Sequence, residues 1–307
     1  MALIITTCTN RKRKTVPDAL HASALDRANL DALVSDWSDR IAAAGERCAA
    51  GDLYGGRGFQ DAAAVADRVA APLMIVSAGL GLIASTTSVP AYACTVIAGT
   101  DDNIVGRLTD ASSAADWWRS ITKSLPLSSS IAEAFAASNG LVLAALSDAY
   151  VDLIADEVEA LPDSARHRLR LFTRAPKRRI ASALRPFIMP YDDRLDGPDS
   201  PIRGTRGDFA PRAMRHFAES ILIDGDDRDA ATHVASVETA IATWALPDRP
   251  ERARHDDPTL RAMIAEHWDS QGGSTSRLLP FFRRELNIAC EQGRFAALVR
   301  DVRSARA

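Results

Sequence analysis

The chain has 307 residues, 47% of them apolar, and 37 basic side chains against 40 acidic ones leave a net charge of −3. That length holds one large domain, or an α/β domain with a smaller companion, and the apolar content can fill a sizeable core. The acidic balance argues against a protein that coats nucleic acid generally, and no apolar run reaches the ~18–20 residues of a membrane span.

Four cysteines (Cys8, Cys48, Cys94, Cys290) are scattered without a CxxC pair. Neither a zinc site nor a disulfide framework is expected, and a reducing cytoplasm is the expected compartment.

Residues 2–8 (ALIITTC) are β-branched and apolar, a first strand. They run into Thr9-Asn10-Arg11-Lys12, polar and basic, at the end of the strand where ligands of α/β sheets bind. Asn10 can both donate to and accept from a base edge, and Arg11 and Lys12 offer charge to a phosphate backbone. A plain surface loop with a basic tip reads the same way.

Residues 26–50 have helical periodicity, with Leu30, Leu33, Val34, Trp37 and Ile41 on one face, and Gly51 as terminator. Next comes Leu53-Tyr54-Gly55-Gly56-Arg57-Gly58-Phe59, then a helix over 60–70. The loop's aromatics Tyr54 and Phe59 suit stacking on a planar ring, and Arg57 suits a phosphate. The alternative is that both aromatics pack on the sheet.

Residues 73–84 read LMIVSAGLGLIA, an apolar run closed by turn residues. This is the pattern of a buried parallel strand, and Ser77, Ala78, Gly79 and Gly81 are expected to form the backbone wall of a binding site. Further strands are expected at 91–98, which includes Tyr92, at 140–146 and at 167–173. Helices are expected at 111–123 and 151–161, with Ser147-Asp148-Ala149-Tyr150 as a strand-end loop. Alternation of this kind predicts α/β architecture with a doubly wound, mostly parallel sheet. Asn10, residues 77–81, Asp148 and Arg174 would share one rim.

Residues 166–185 hold eight basic side chains and no acid, among them Arg174, Lys177 and Arg178. This segment reads either as a phosphate-binding stretch or as a solvated face. Beyond 186 the composition turns irregular through residue 207. A helix from Asp208 then carries Arg212, Arg215 and His216, with Pro211 in its first turn. The tail over 257–302 is helical, broken at Gly272-Gly273, and Ser274 is expected to cap a helix bearing Arg277. That arrangement reads as a helix-turn-helix or as any small bundle. The expected division is an α/β domain over 1–188 and a helical, DNA-contacting region over 189–307.

Several standard machines are absent from the sequence: the P-loop pattern, HExxH and GxSxG. No metal site and no cofactor are expected. Gly79-Leu80-Gly81-Leu82-Ile83-Ala84 does match a dinucleotide fingerprint, which requires a helix at the glycines. The following Ser85-Thr86-Thr87-Ser88-Val89-Pro90 is poor helix material, so a dinucleotide enzyme stands as an alternative. What remains is a rim with an amide, an aromatic, arginines and a carboxylate. N-glycosidic cleavage uses such parts, because its oxocarbenium-like transition state is stabilised by a nearby carboxylate.

Cys8-Thr9-Asn10-Arg11-Lys12, the Leu53–Phe59 loop, Val76-Ser77-Ala78-Gly79-Leu80-Gly81-Leu82-Ile83 and Pro90-Ala91-Tyr92 together resemble small α/β domains of the uracil-DNA-glycosylase-like superfamily. Some of these domains are associated with deazaguanine and transglycosylase systems. The resemblance covers about residues 1–173. It implies a DNA glycosylase with base flipping, similar to an anti-phage glycosylase acting on glucosylated hydroxymethylcytosine. Asn10 and Asp148 would be catalytic, and Tyr54, Arg57, Phe59, Ser77, Ala78, Gly79, Gly81 and Tyr92 would bind the base and its phosphate. The uracil enzymes' Gly-Gln-Asp-Pro-Tyr and late His-Pro-Ser motifs are missing, which argues against unmodified uracil as substrate. A non-catalytic nucleic-acid-binding module is the other reading.

Overall fold

The computed structural model describes residues 1–248 and 251–306, in two units that divide after Pro247. The first unit is built on a five-stranded sheet of β1 (Leu3–Thr7), β2 (Leu73–Ser77), β3 (Gly81–Ala84), β4 (Val142–Ala145) and β5 (Leu169–Phe172). The spatial order is β3-β2-β1-β4-β5, parallel throughout except for β3, which runs antiparallel to β2. β2, β4 and β5 are buried along their whole length, as strands covered on both faces must be.

The helices of this unit are α1 (Leu30–Ala43), α2 (Arg57–Arg68), α3 (Ala114–Ser124), α4 (Ile131–Ala136), α5 (Asp148–Glu159), α6 (Phe209–Ser220) and α7 (Ala230–Ala240). α2 and α6 pack on each other and over β1 and β4, whereas α3 packs against α1, α5 and the β3 edge. The result is α/β and mostly parallel, compatible with double winding. From β1 the chain crosses outward to β2, then returns past β1 to β4 on its other side. Where the winding reverses, between β1 and β4, the strand ends splay and leave a crevice.

Several expected elements differ. Residues 91–98 form no strand, because only isolated pairings such as His21 with Ala93 and Thr95 with Asn103 occur there. The first helix stops at Ala43, short of Gly51, which lies in a separate turn over Ala50–Leu53. α5 begins at Asp148 itself, so the expected strand-end loop is the helix's first turn. The boundary expected after residue 188 falls at 247, because α6 buries Phe209, Met214 and Phe217 in the same core as the sheet.

Both outer strands are covered. Ser129 donates its amide to Leu82 O on β3, and Met189 donates to Leu171 O on β5.

The second unit has α8 (Asp257–Glu266), α9 (Thr275–Arg284) and α10 (Gln292–Arg306) around Leu260, Ile264, Leu278, Phe282, Phe295 and Val299. Gly272 and Gly273 both take positive φ between α8 and α9, at 61° and 59°. Ser274 stands before α9 but gives it no side-chain cap, because its hydroxyl pairs with Ser276. No helix of the chain is long and apolar enough to cross a membrane, among the described residues.

Candidate active site

A cleft of about 600 Å³ opens at the carboxyl ends of β1 and β4, at the reversal point of the sheet. Thr7, Thr9 and Arg11 line it after β1, Ser147 and Asp148 after β4, and Arg174 after β5. Thr9 is fixed by donating its hydroxyl to Gly55 O at 2.8 Å, which ties the β1 loop to the glycine loop. Gly55 N in turn donates to Arg11 O at 2.8 Å.

Three helices begin at this cleft: α2 through Gly56, Gly58 and Phe59, α5 through Ser147 and Asp148, and α6 through Asp208, Phe209 and Pro211. None of the three has a side-chain cap. By contrast α1, α3, α4 and α7 are capped by Asn29, Ser113, Ser130 and Asp229. The uncapped starts of α2 and α5 leave backbone N–H groups and the positive end of the helix dipole facing outward, which attracts anions, whereas the start of α6 carries the Asp208 carboxylate and its Phe209 N–H is taken by Arg206 O. Arg11 and Arg206 are exposed on the same wall. Asp148 is an exposed carboxylate in the first turn of α5. Asn10 is exposed between Thr9 and Arg11 and does not itself line the cleft.

Arg206, Asp208 and Phe209 were not expected at a site. The visible signal was the Arg206-Gly207-Asp208 run ahead of a helix with proline in its first turn, the signature of a helix start.

The other expected ligand-binding residues lie elsewhere. Tyr54, Ser77, Ala78 and Tyr92 are each 0% exposed. Tyr54 Oη and Tyr92 Oη are 2.7 Å apart, and Tyr92 Oη is 2.5 Å from Ser77 Oγ. Ser77 Oγ also accepts from Gly79 N and Leu80 N. The indole of Trp117 donates to Ala78 O and that of Trp37 to Gly79 O, both at 2.7 Å.

The glycines are there for the chain's own side chains. A Cβ on Gly79 would lie 2.7 Å from the Tyr92 ring, and one on Gly81 would collide with Ser128. Gly81 has φ of +71° and starts β3, so the segment is a hairpin turn. This overturns the expectation of a ligand wall at 77–81. It also removes the dinucleotide reading, since a strand follows the glycines where the fingerprint requires a helix. Phe59 alone of the expected aromatics lines the cleft, with Tyr54 behind it at 5.4 Å.

Lys12 belongs to this buried cluster. Its Nζ lies 4.8 Å from the ring centroids of both Tyr54 and Tyr92 and donates to Thr9 O. Burial pulls its pKa below the usual lysine value, opposed by the nearby thiols of Cys8 and Cys94 and by Asp102. Lys12 therefore holds the β1 loop in place, with its ammonium turned inward from any phosphate backbone.

Most arginines of the basic segment are used within the fold. Arg170 is fully buried and donates to His233 Nδ1 at 2.7 Å. Arg168 donates to the carbonyls of Phe135, Ser138 and Gly140. Arg174 pairs with Asp193 and Asp196 and stacks on Phe209 at 5.2 Å. Arg212, 0% exposed, pairs with Asp196, and Arg215 pairs with Asp61 and Glu219. Burial corrects the expectation that Arg212 contacts nucleic acid. Lys177, Arg178 and Arg277 are exposed.

A wider groove of about 960 Å³ lies by the amino ends of β4 and β5. Its guanidiniums are those of Arg168, Arg170, Arg185 and Arg228, all committed to backbone carbonyls, His233 or Asp226, so the smaller cleft is the better candidate. Among the described residues no group of three or more His, Cys, Asp or Glu side chains stands together as a metal site. No family model, no curated protein and no solved structure matches the chain.

Proposed function

We propose that the protein cleaves the N-glycosidic bond of a modified base in DNA. The observation that carries this reading is the exposed Asp148 carboxylate in a cleft whose other walls attract anions. Positive charge develops on the sugar as the bond breaks, and a nearby carboxylate stabilises it. The uncapped start of α2, with Arg11 and Arg206, suits the phosphates on either side of a flipped nucleotide. Phe59 and Phe209 supply apolar surface for the extruded base, and Asn10 at the lip is assigned to the attacking water. The sequence resemblance adds the substrate: a modified cytosine, such as glucosylated hydroxymethylcytosine in phage DNA, attacked in the cytoplasm as an antiviral defence.

The test is incubation of the protein with duplex and single-stranded DNA carrying a series of modified cytosines, in EDTA, with abasic sites as the readout. Abasic product from one of them supports the reading. Duplex binding with a steep salt dependence and no product from any of them would make the protein a non-catalytic nucleic-acid-binding module.

A further inference from the structure

A second cavity, of about 430 Å³, lies beside the first turns of α2. Arg57, Asp61 and Ala64 line it from α2, Arg203 from the segment before α6, and Arg215 and Glu219 from α6. Arg57 follows Gly56 and precedes Gly58, both of which line the main cleft, so the two cavities share the start of one helix.

The charges here divide clearly. Arg215 donates through Nη1 to Asp61 Oδ1 at 2.9 Å and through Nε to Glu219 at 2.7 Å, which sets one cation between two carboxylates. Arg57 reaches only the Arg203 carbonyl, at 3.4 Å, and the exposed Arg203 guanidinium makes no bond among the described residues. Two cations are therefore available to an anion.

The floor of the cavity holds an unmet acceptor. Asp61 is 4% exposed, and its Oδ2 is buried without a hydrogen-bond partner among the described residues. A buried carboxylate oxygen left unpaired is costly, and it is satisfied by a donor arriving with a ligand. Carboxylates accept in this way from the exocyclic amine of a base.

We propose that this cavity is a subsite for a neighbouring nucleotide, with the phosphate on Arg57 and Arg203 and an amino-bearing base edge on Asp61. The proposal rests on the reading of the substrate as DNA and adds a preference for the base next to the excised one. A donor reaches Oδ2 when the Arg215 side chain, which is 40% exposed, swings aside.

The test uses free nucleotides and so does not depend on catalysis. Deoxycytidine monophosphate and deoxyuridine monophosphate differ at the position where one carries an amine and the other an oxygen. Calorimetry on the full chain is expected to show the cytidine nucleotide binding about tenfold more tightly. Arg203→Ala is expected to weaken both by about tenfold, through loss of one charge-assisted contact. Ala64→Phe, at an exposed position, is expected to fill the cavity and block both. Gly45→Ala, at an exposed position with nothing within 4 Å, should leave both affinities unchanged. Equal affinity for the two nucleotides, or binding indifferent to Arg203→Ala and Ala64→Phe, would overturn the subsite. Nucleotide binding as described, with no excision of any modified base, would retain the subsite and remove the glycosylase reading.

Discussion

The phenol oxygens of Tyr54 and Tyr92 lie 2.7 Å apart, with neither ring open to solvent. Tyr92 continues to Ser77 Oγ, so three hydroxyls join the glycine loop, the end of β2 and the segment after Pro90. Burial pushes both phenols well above the usual tyrosine pKa, which keeps them neutral hydrogen-bonding groups. Tyr92→Phe removes the shared partner of the other two hydroxyls. It is expected to lower stability by about 1–3 kcal/mol. Urea unfolding would read this as a lower midpoint at unchanged slope.

Gly79 and Gly45 offer a paired test of packing. A methyl on Gly79 meets the Tyr92 ring at 2.7 Å, whereas Gly45 has nothing within 4 Å. Gly79→Ala is expected to destabilise by about 1–3 kcal/mol. Gly45→Ala should stay within about 0.5 kcal/mol of the parent. Thermal melts of the two variants side by side would decide it.

Asp148→Asn is expected to reduce base excision by about 100-fold or more, because a neutral amide no longer stabilises the developing cation. The carboxylate is exposed and makes no hydrogen bond among the described residues, so the melting temperature should hardly move. Excision at the parental rate would take the catalytic assignment away from this residue.

Arg206 and Arg212 should fail in opposite ways. Arg206 is exposed on the cleft wall, and its replacement by alanine is expected to weaken DNA binding and lower the salt slope by about one. Arg212 is buried against Asp196 at 2.6 Å. Its replacement removes one of the partners of that carboxylate, which keeps Arg174, and about 1–3 kcal/mol of stability is expected to go with it. Filter binding across a salt series, together with denaturant melts, separates the two.

Stability should decline in two stages on acidification. Burial holds the pKa of His233 below the ordinary 6.5, with Asp226 raising it and Arg170 and Arg228 lowering it. The unfolded chain therefore takes up a proton first as pH falls through 6.5, and the folded state loses ground from there down to the depressed value. His216, also lowered by burial, acts in the same direction. Asp226 is held well below its ordinary 3.8 by Arg228 and His233 against its own desolvation, so its contribution is lost only below that pH. His233→Gln should flatten the upper stage in a pH series of urea midpoints.

The strands were legible because their signal is local. Leu3–Thr7, Leu73–Ser77, Val142–Ala145 and Leu169–Phe172 are short apolar or β-branched runs that only a covered sheet can bury. Residues 91–98 have the same composition, yet their backbone pairs piecemeal with His21 and Asn103 because Cys94 and Tyr92 fill space beside Gly79. Asp148 was legible as a strand-end residue. Tyr54 and Gly79 misled for one physical reason: a glycine-rich loop admits a ligand or an indole equally well, and only the positions of Trp37, Trp117 and Tyr92 decide between them. Arg206 and Asp208 come from far along the chain, so no spacing in the sequence ties them to β1.

The single pairings at Leu82 and Leu171 have a consequence for how this molecule meets others. A bare sheet edge invites strand addition by a second chain, the route to runaway association. Here each outer strand already has a loop from its own chain on its free side, through Ser129 and Met189. Strand addition at either edge would first have to displace that loop, which favours recruitment of a partner through helical faces and the cleft.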